Sequence, residues 1–415
     1  MLTYTDNFLD AINGNVRDVG IKITYTLNDI KCLIQGEEVM EVVYTSQGKK
    51  EMGCVVLKVV DATFRLNDNT KQLQEGMFID LTYTCDGECQ TDIFYINYLK
   101  PKNNTLTVQA VDLLTYLADT VSPKMPLNKD VYLKEYISNI CSSLKLPLEM
   151  GADIVNPKLA LAYPKNTSIL ETFRELAIAC NGMISFGLTQ RLGAYLPFYL
   201  PVLLENRLIG ASIKRFVGGA PQATINQYIK YSVVKDSSNK YDDVKVCMFF
   251  PTHGEQTEIG TLKALIPAST TNYNLGTVNF SNTCIPQVLK FNDRVQVDKY
   301  TLGSTSCGLT MSNTGTTDQA IECTFYGLNI ENAATIEDET DSNNIKTIKN
   351  MYIQSAAIYN TDIYKKNDIE ISYFGNPCIE VGDTISIDGM IVLVVEHILK
   401  YTGGLKGTIK GVIIE

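Results

Sequence analysis

The chain has 415 residues with a formal net charge of −10, 45% apolar and 20% charged residues, no Trp and 23 Tyr. That length accommodates about three domains, each able to bury its own core, and the composition is that of a globular chain, which excludes wholesale disorder. The acidic balance argues against a general grip on nucleic acid, which needs a basic face to displace counterions from phosphates; the many Tyr, Thr, Ile and Asn favour strands and turns over long helices.

Met1–Asp6 has neither the basic nor the apolar region of a signal peptide. The expectation is a chain folded in a cytoplasm, with its eleven cysteines reduced and used as small apolar residues. From 20 to 112 strand follows strand: Ile21–Leu27, Cys32–Gln35, Glu41–Tyr44, Gly53–Val60, Met77–Thr84, Thr91–Leu99 and Thr105–Val111. Asn, Asp, Gly and Lys turns separate them at the spacing of an all-β barrel or sandwich, and Gly76 marks one such turn. Cys85-Asp86-Gly87-Glu88-Cys89 leaves two geometries open: a three-residue turn sets the two sulfurs side by side, a two-residue Asp-Gly turn separates them. No second Cys pair or nearby His completes a metal site there.

After 112 the period changes. Val131, Leu133, Tyr136, Ile137, Ile140, Cys141 and Leu144 fall on one helical face. Ser168 with Glu171 three residues on is a capping box for a helix through Leu170, Phe173, Leu176, Ala177 and Cys180, ended by a glycine stop at Asn181-Gly182. A small α/β unit with two helices is therefore expected over 113–190. Leu192–Leu204 comes nearest to a membrane span, but Pro197 and Pro201 break it, so no membrane insertion is expected. From 191 to 345 short strands return, with loops at Asp236–Asp243 and Ser304–Asp318 and a turn at Pro251-Thr252-His253-Gly254. The stretch 331–345, with five acids and no base, reads as a solvated linker before Ile348–Ala357.

The C-terminal region is the most patterned. Asn376-Pro377 makes a turn, Gly382-Asp383 a tight bend, and Thr384, Ser386 and Asp388 alternate with Ile385 and Ile387 as a half-buried strand does. Asp388-Gly389 is a hairpin signal, and Ile391–Leu399 and Thr408–Ile414 are strands around Gly403-Gly404. Asp383 is read as a carboxylate accepting backbone N–H groups in its bend rather than as a cation ligand. His397, inside an apolar strand, is read as a satisfied structural side chain.

The blocks Gly375-Asn376-Pro377 to Ile387 and Tyr401-Thr402-Gly403-Gly404-Leu405-Lys406-Gly407-Thr408-Ile409 resemble the C-terminal end of baseplate hub proteins of tailed phages and related contractile injection systems. The resemblance, which extends to the hub region of siphophage tail-associated proteins, recurs at Gly53–Leu57, Gly76–Leu81, Tyr95-Ile96 and Thr105–Leu114. It implies a mainly β, multidomain chain in which two β-barrel tube-like domains, over about 1–112 and 346–415, flank the α/β unit and a β-rich central domain over 191–345 whose strands partly complete the barrels. It further implies a homotrimer that adapts a sixfold tail tube to a threefold central spike. Tail tube, spike, tape-measure and baseplate wedge proteins would be its partners, and DNA only a transiting cargo. Such a protein is made in the cytoplasm of a bacterial host and resides in the virion tail baseplate. No catalytic, cofactor-binding or metal residue is implied; the residues singled out are the structural turns Gly76, Gly382, Asp383, Gly403 and Gly404.

Two other readings stand beside it. A tail-associated peptidoglycan hydrolase with zinc needs two closely spaced histidines, as in H-E-x-x-H, whereas His253 and His397 are far apart. The 46 acids supply carboxylates for a glycosidase without selecting any. A β-rich receptor- or carbohydrate-binding tail protein is expected to expose Trp for stacking on sugars, and Trp is absent.

Overall fold

The computed structural model describes residues 3–14, 17–50, 53–118, 132–144, 146, 148–150, 156–157, 168–188, 209–215, 223–225, 228–234, 240–281, 284–291, 295–302, 306–335, 344–350 and 362–415. The fold is mainly β with one α/β unit.

The chain opens with β1 (Thr3–Tyr4) and α1 (Asp6–Ile12). The helix is a feature the sequence reading did not contain. Thr5 caps it by accepting the Phe8 N–H, and Phe8 and Ile12, one turn apart, are fully buried. Then come β2 (Gly20–Leu27), β3 (Ile30–Gln35), β4 (Val39–Gln47), β5 (Cys54–Arg65), β6 (Phe78–Thr84), β7 (Glu88–Lys102) and β8 (Thr105–Val111). These are the expected strands, most of them longer. They pair antiparallel in the order β3-β2-β6-β7-β8-β5-β4. Alternation on β6 sends Ile79, Leu81 and Tyr83 inward onto Phe8, Ile23, Phe64 and Phe94.

The α/β unit comprises α2 (Leu113–Tyr116), α3 (Leu133–Ser143), β9 (Leu148–Met150), α4 (Ile169–Cys180), β10 (Gly182–Leu188) and β11 (Ile209–Arg215). Ser168 caps α4 by accepting the Glu171 N–H. The stop differs from the expected glycine: Asn181 takes the left-handed conformation (φ 48°) and Gly182 begins β10. The core here, built on Ile137, Ile140, Phe173, Leu176 and Phe186, also takes in Val55 and Ile93 from the N-terminal strands.

β12 (Ala223–Thr224) and β13 (Tyr228–Val234) lie in the central stretch of sequence but pair with C-terminal strands. The central strands β14 (Asp243–Ile266), β15 (Thr270–Asn279), β16 (Cys284–Lys290), β17 (Gln296–Leu302), β18 (Ser306–Asn313), β19 (Gln319–Thr335) and β20 (Ile345–Lys349) form two sheets around a separate core of Ile259, Phe280, Leu309, Met311 and Phe325. Three expectations are corrected here. Pro251–Gly254 is not a turn but runs within β14, where a bulge between His253 and Gln256 absorbs the irregularity. Within the expected loop Ser304–Asp318, Ser306–Asn313 is strand β18, with Cys307, Leu309 and Met311 alternating inward, and the expected linker 331–345 begins inside β19, which runs to Thr335. Leu192–Leu204 lies outside the described residues, and no described helix is long and apolar enough to cross a membrane.

β21 (Asp368–Tyr373), β22 (Thr384–Ile387), β23 (Met390–Tyr401) and β24 (Leu405–Ile413) complete the chain. Ile387 faces Met390 across Asp388-Gly389, both at positive φ as the hairpin requires. β23 also pairs antiparallel with β4, so the N- and C-terminal strands form one continuous sheet, and Leu399 and Leu405 pack into the N-terminal core.

Candidate functional site

Gly76 and Gly382 share a backbone conformation, φ +93°. The Gly76 N–H donates to the Ile96 carbonyl (2.9 Å), and the Ile96 N–H returns to the Met77 carbonyl (2.8 Å). The Gly382 N–H donates to the Val394 carbonyl (2.8 Å), and the Val394 N–H returns to the Asp383 carbonyl (2.9 Å). Just beyond each anchor the ladder slips: β7 against β8 between Ile96 and Tyr98, β23 against β24 between Val394 and Glu396. The next strands repeat too. β5 lies on β8 as β21 lies on β24, and β4 lies on β5 as β13 lies on β21, with slips at Val39/Glu41 and Tyr228/Lys230. The arrangements β6-β7-β8-β5-β4 and β22-β23-β24-β21-β13 are therefore the same, these two matched bulges included. Ile96 corresponds to Val394, Ala62 to Ile371 and Val42 to Tyr231.

Only glycine takes the Gly76 and Gly382 conformation at little cost. At Gly382 a Cβ would also push aside the flexible end of Met183, whereas at Gly76 nothing lies nearer than 3.9 Å. Asp383 accepts the Glu380 N–H at 2.8 Å and so braces its own bend. Of the pair Gly403-Gly404, Gly403 carries the positive φ, +83°, and Gly404 does not.

The titratable groups buried nearby are structural. Lys58 and Asp92 form an ion pair with side chains 5% and 3% exposed, and Lys58 Nζ also donates to the Phe186 carbonyl. Burial opposes the Lys58 charge, but Asp92 outweighs it and raises the lysine's pKa. Asp112 accepts the Lys58 main-chain N–H at 2.8 Å and caps α2 through the Thr115 N–H at 2.7 Å; burial pushes its carboxyl up to about 6. A small cavity at this junction is lined by Tyr44, Ser46, Lys58, Ser185 and Glu380, so three parts of the chain meet there.

His397 is wholly buried; its Nδ1 donates to the Ile379 carbonyl (2.9 Å), which leaves Nε2 to accept from the Tyr373 hydroxyl (2.8 Å). Burial lowers its pKa to about 4, so it is neutral at pH 7. The main chain of His253 lies in β14; its side chain is outside the described residues. Cys85 sits in the turn before β7, with Cys89 opposite Tyr83. The Cys89 thiol meets Cys378, not Cys85, and their hydrogen bond together with burial raises the Cys89 pKa. No three His, Cys, Asp or Glu side chains cluster as metal ligands among the described residues.

What remains is surface. β4 has neighbours on both sides, β5 and β23. Among the described residues its counterpart β13 pairs with β21 alone, and Ile229, Tyr231 and Val234 are exposed on it. From Asn97 onward β7 pairs with β8 alone, and Asn97, Tyr98, Lys100, Pro101 and Lys102 are exposed. The sequence reading expects strands of the central stretch to help complete the barrels but does not mark β13, although Tyr228-Ile229-Lys230-Tyr231-Ser232-Val233-Val234 carries the aromatic and β-branched signature of a strand.

No family model matches the chain, and no curated protein matches it either. Solved structures do. A tail protein from Neisseria meningitidis is 8% identical, with a TM-score of 0.48, covering 95% of this chain and 97% of that one. A 43 kDa prophage tail protein from Shewanella oneidensis is 9% identical, with a TM-score of 0.47, covering 96% and 98%. A prophage tail protein from Listeria monocytogenes is 9% identical, with a TM-score of 0.44, covering 94% of each chain. The chain is thus similar over nearly its whole length to phage tail proteins, at identities and TM-scores that assign no function by themselves.

Proposed function

We propose that the protein is the structural hub of a phage tail or tail-like particle. Three copies form a ring, each contributing two equivalent β units, so that the ring offers six similar positions to a sixfold tail tube and three to a central spike. The observation that carries this reading is the repeated strand arrangement with its two matched bulges. One chain that must meet six tube subunits in threes has to present the same surface twice, and symmetric closure then follows from copies joined head to tail. The hub blocks in the sequence fall on the repeat itself: Gly76–Leu81 and Gly382–Ile387 open the two hairpins. In this reading the tube, spike, tape-measure and wedge proteins are the partners, DNA passes through as cargo, and no catalysis is involved. Light scattering on the purified chain at rising concentration tests it. The expected mass is three times 46.1 kDa, with the trimer fraction growing with concentration. A chain that stays monomeric throughout, with tube and spike proteins added, contradicts it.

A further inference from the structure

We infer that β13 of one copy pairs antiparallel with the second half of β7 of the next copy, joining copies through the same seam that β4 and β23 make within one chain. The inference rests on the proposed ring and names the strands that close it. Inside the chain, the seam runs from Gln47 opposite Glu396 to Val42 opposite Tyr401. In the repeat, β13 stands where β4 stands, and β7 from Asn97 stands where β23 stands from Val395. Both lack, among the described residues, the neighbour that their counterparts have. Each is exposed at a position where its counterpart is packed: Tyr231 is 37% exposed against 0% for Val42, and Pro101 is exposed where Leu399 is fully buried. The open apolar edge of β13 invites pairing unless something covers it, while Lys100, Pro101 and Lys102 blunt the β7 edge. A second copy is the occupant because the complementary edge belongs to this same chain.

The equivalences fix the register. Val43 lies opposite Lys400 and Tyr44 opposite Leu399, so Ser232 meets Lys102 and Val233 meets Pro101 of the next copy. Pro101 has no N–H to give to either neighbour. The seams also differ in charge. Within the chain Lys400 and Glu41 form an ion pair at 2.6 Å; at the new seam Lys102 stands in the place of Lys400 and Lys230 in the place of Glu41. Two like charges weaken the contact, and salt screens them. The seam between copies is therefore weaker than the one within, and it strengthens as salt is raised.

The test uses the full-length chain carrying Ser232→Cys, Lys102→Cys, or both, incubated with oxidised glutathione and run on a non-reducing gel. Two thiols on adjacent copies lose two protons and two electrons to one glutathione disulfide, which leaves as two glutathione molecules. Mixing the two single variants should give linked dimers, the double variant linked trimers, and each single variant alone neither. Lys230→Glu, which restores the Lys–Glu pair, should tighten association several-fold per seam and reverse the salt dependence, since salt now screens an attraction. Copies that associate by light scattering yet give no such link overturn this seam and leave the ring standing. Copies that stay monomeric at every salt concentration, with Lys230→Glu included, overturn both.

Discussion

Gly382 and Gly76 occupy one position in two copies of the same arrangement: each holds φ +93° and gives its N–H to the carbonyl of the strand that returns past it, Val394 and Ile96. The match continues through the bulges and out to the strands that meet, or lack, a neighbour. Geometry repeated at this level gives one chain two like main-chain frameworks, which is what the proposed symmetry adaptor needs.

The two glycines should respond differently to substitution. Gly76→Ala meets only the backbone cost of a left-handed residue, about 1–2 kcal/mol. Gly382→Val puts a β-branched residue in that conformation and makes the flexible end of Met183 move aside, and should cost more, about 2–3 kcal/mol. Urea denaturation of the two variants measures the difference; equal midpoints would mean that the Gly382 bend is looser than described.

Asp92→Ala leaves Lys58 buried without its counter-charge and should cost about 3–5 kcal/mol. The double change Lys58→Met with Asp92→Leu removes both charges and should return most of that loss. A double variant as unstable as Asp92→Ala would show that packing at the junction, not charge, sets the cost.

Two buried groups oppose each other in acid. The unfolded chain protonates His397 below its ordinary 6.5, while the folded chain refuses the proton until about 4. Stability from His397 is thus complete above pH 6.5 and falls by roughly 3 kcal/mol as pH drops to 4. Asp112 runs the other way: its folded pKa of about 6 against an ordinary 3.8 means that the folded chain holds this proton more tightly, so stability falls as pH rises between those values. Asp112→Asn should make the acid-side loss steeper and His397→Gln shallower, read as unfolding free energy from pH 4 to 7. Parallel profiles for all three proteins would contradict the assignment.

Much of this fold is legible in sequence because its signals are local. The N-terminal strands alternate, Ser168 caps its helix, and Asp388-Gly389 can hardly do anything but turn. Failures came where the determinant is distant. β14 survives Pro251 because β19 runs alongside it through a bulge. α1 is too short to show a period and exists because Phe8 and Ile12 find a core. The repeat leaves little trace in the residues: Gln109 stands where Lys410 stands and Tyr98 where Glu396 stands, since main-chain bonds and bulges carry the match. Cys89 finds its thiol neighbour 289 positions away at Cys378, which no spacing rule reaches.

If the protein is the structural hub proposed above, it carries out no catalysis. His397 is buried, neutral and committed at both ring nitrogens, so it can serve neither as a base nor as a zinc ligand without unfolding its surroundings. Purified protein incubated with host cell walls, with and without zinc, should release no soluble fragments. Reproducible release abolished by one point change would replace the scaffold reading with an enzyme.

The most direct test of the whole account is electron microscopy of the assembled oligomer viewed end-on. The account predicts three copies presenting six similar densities around an open channel, alternating between the two units of each chain. A ring with only three like densities, or an assembly without a channel, would contradict it.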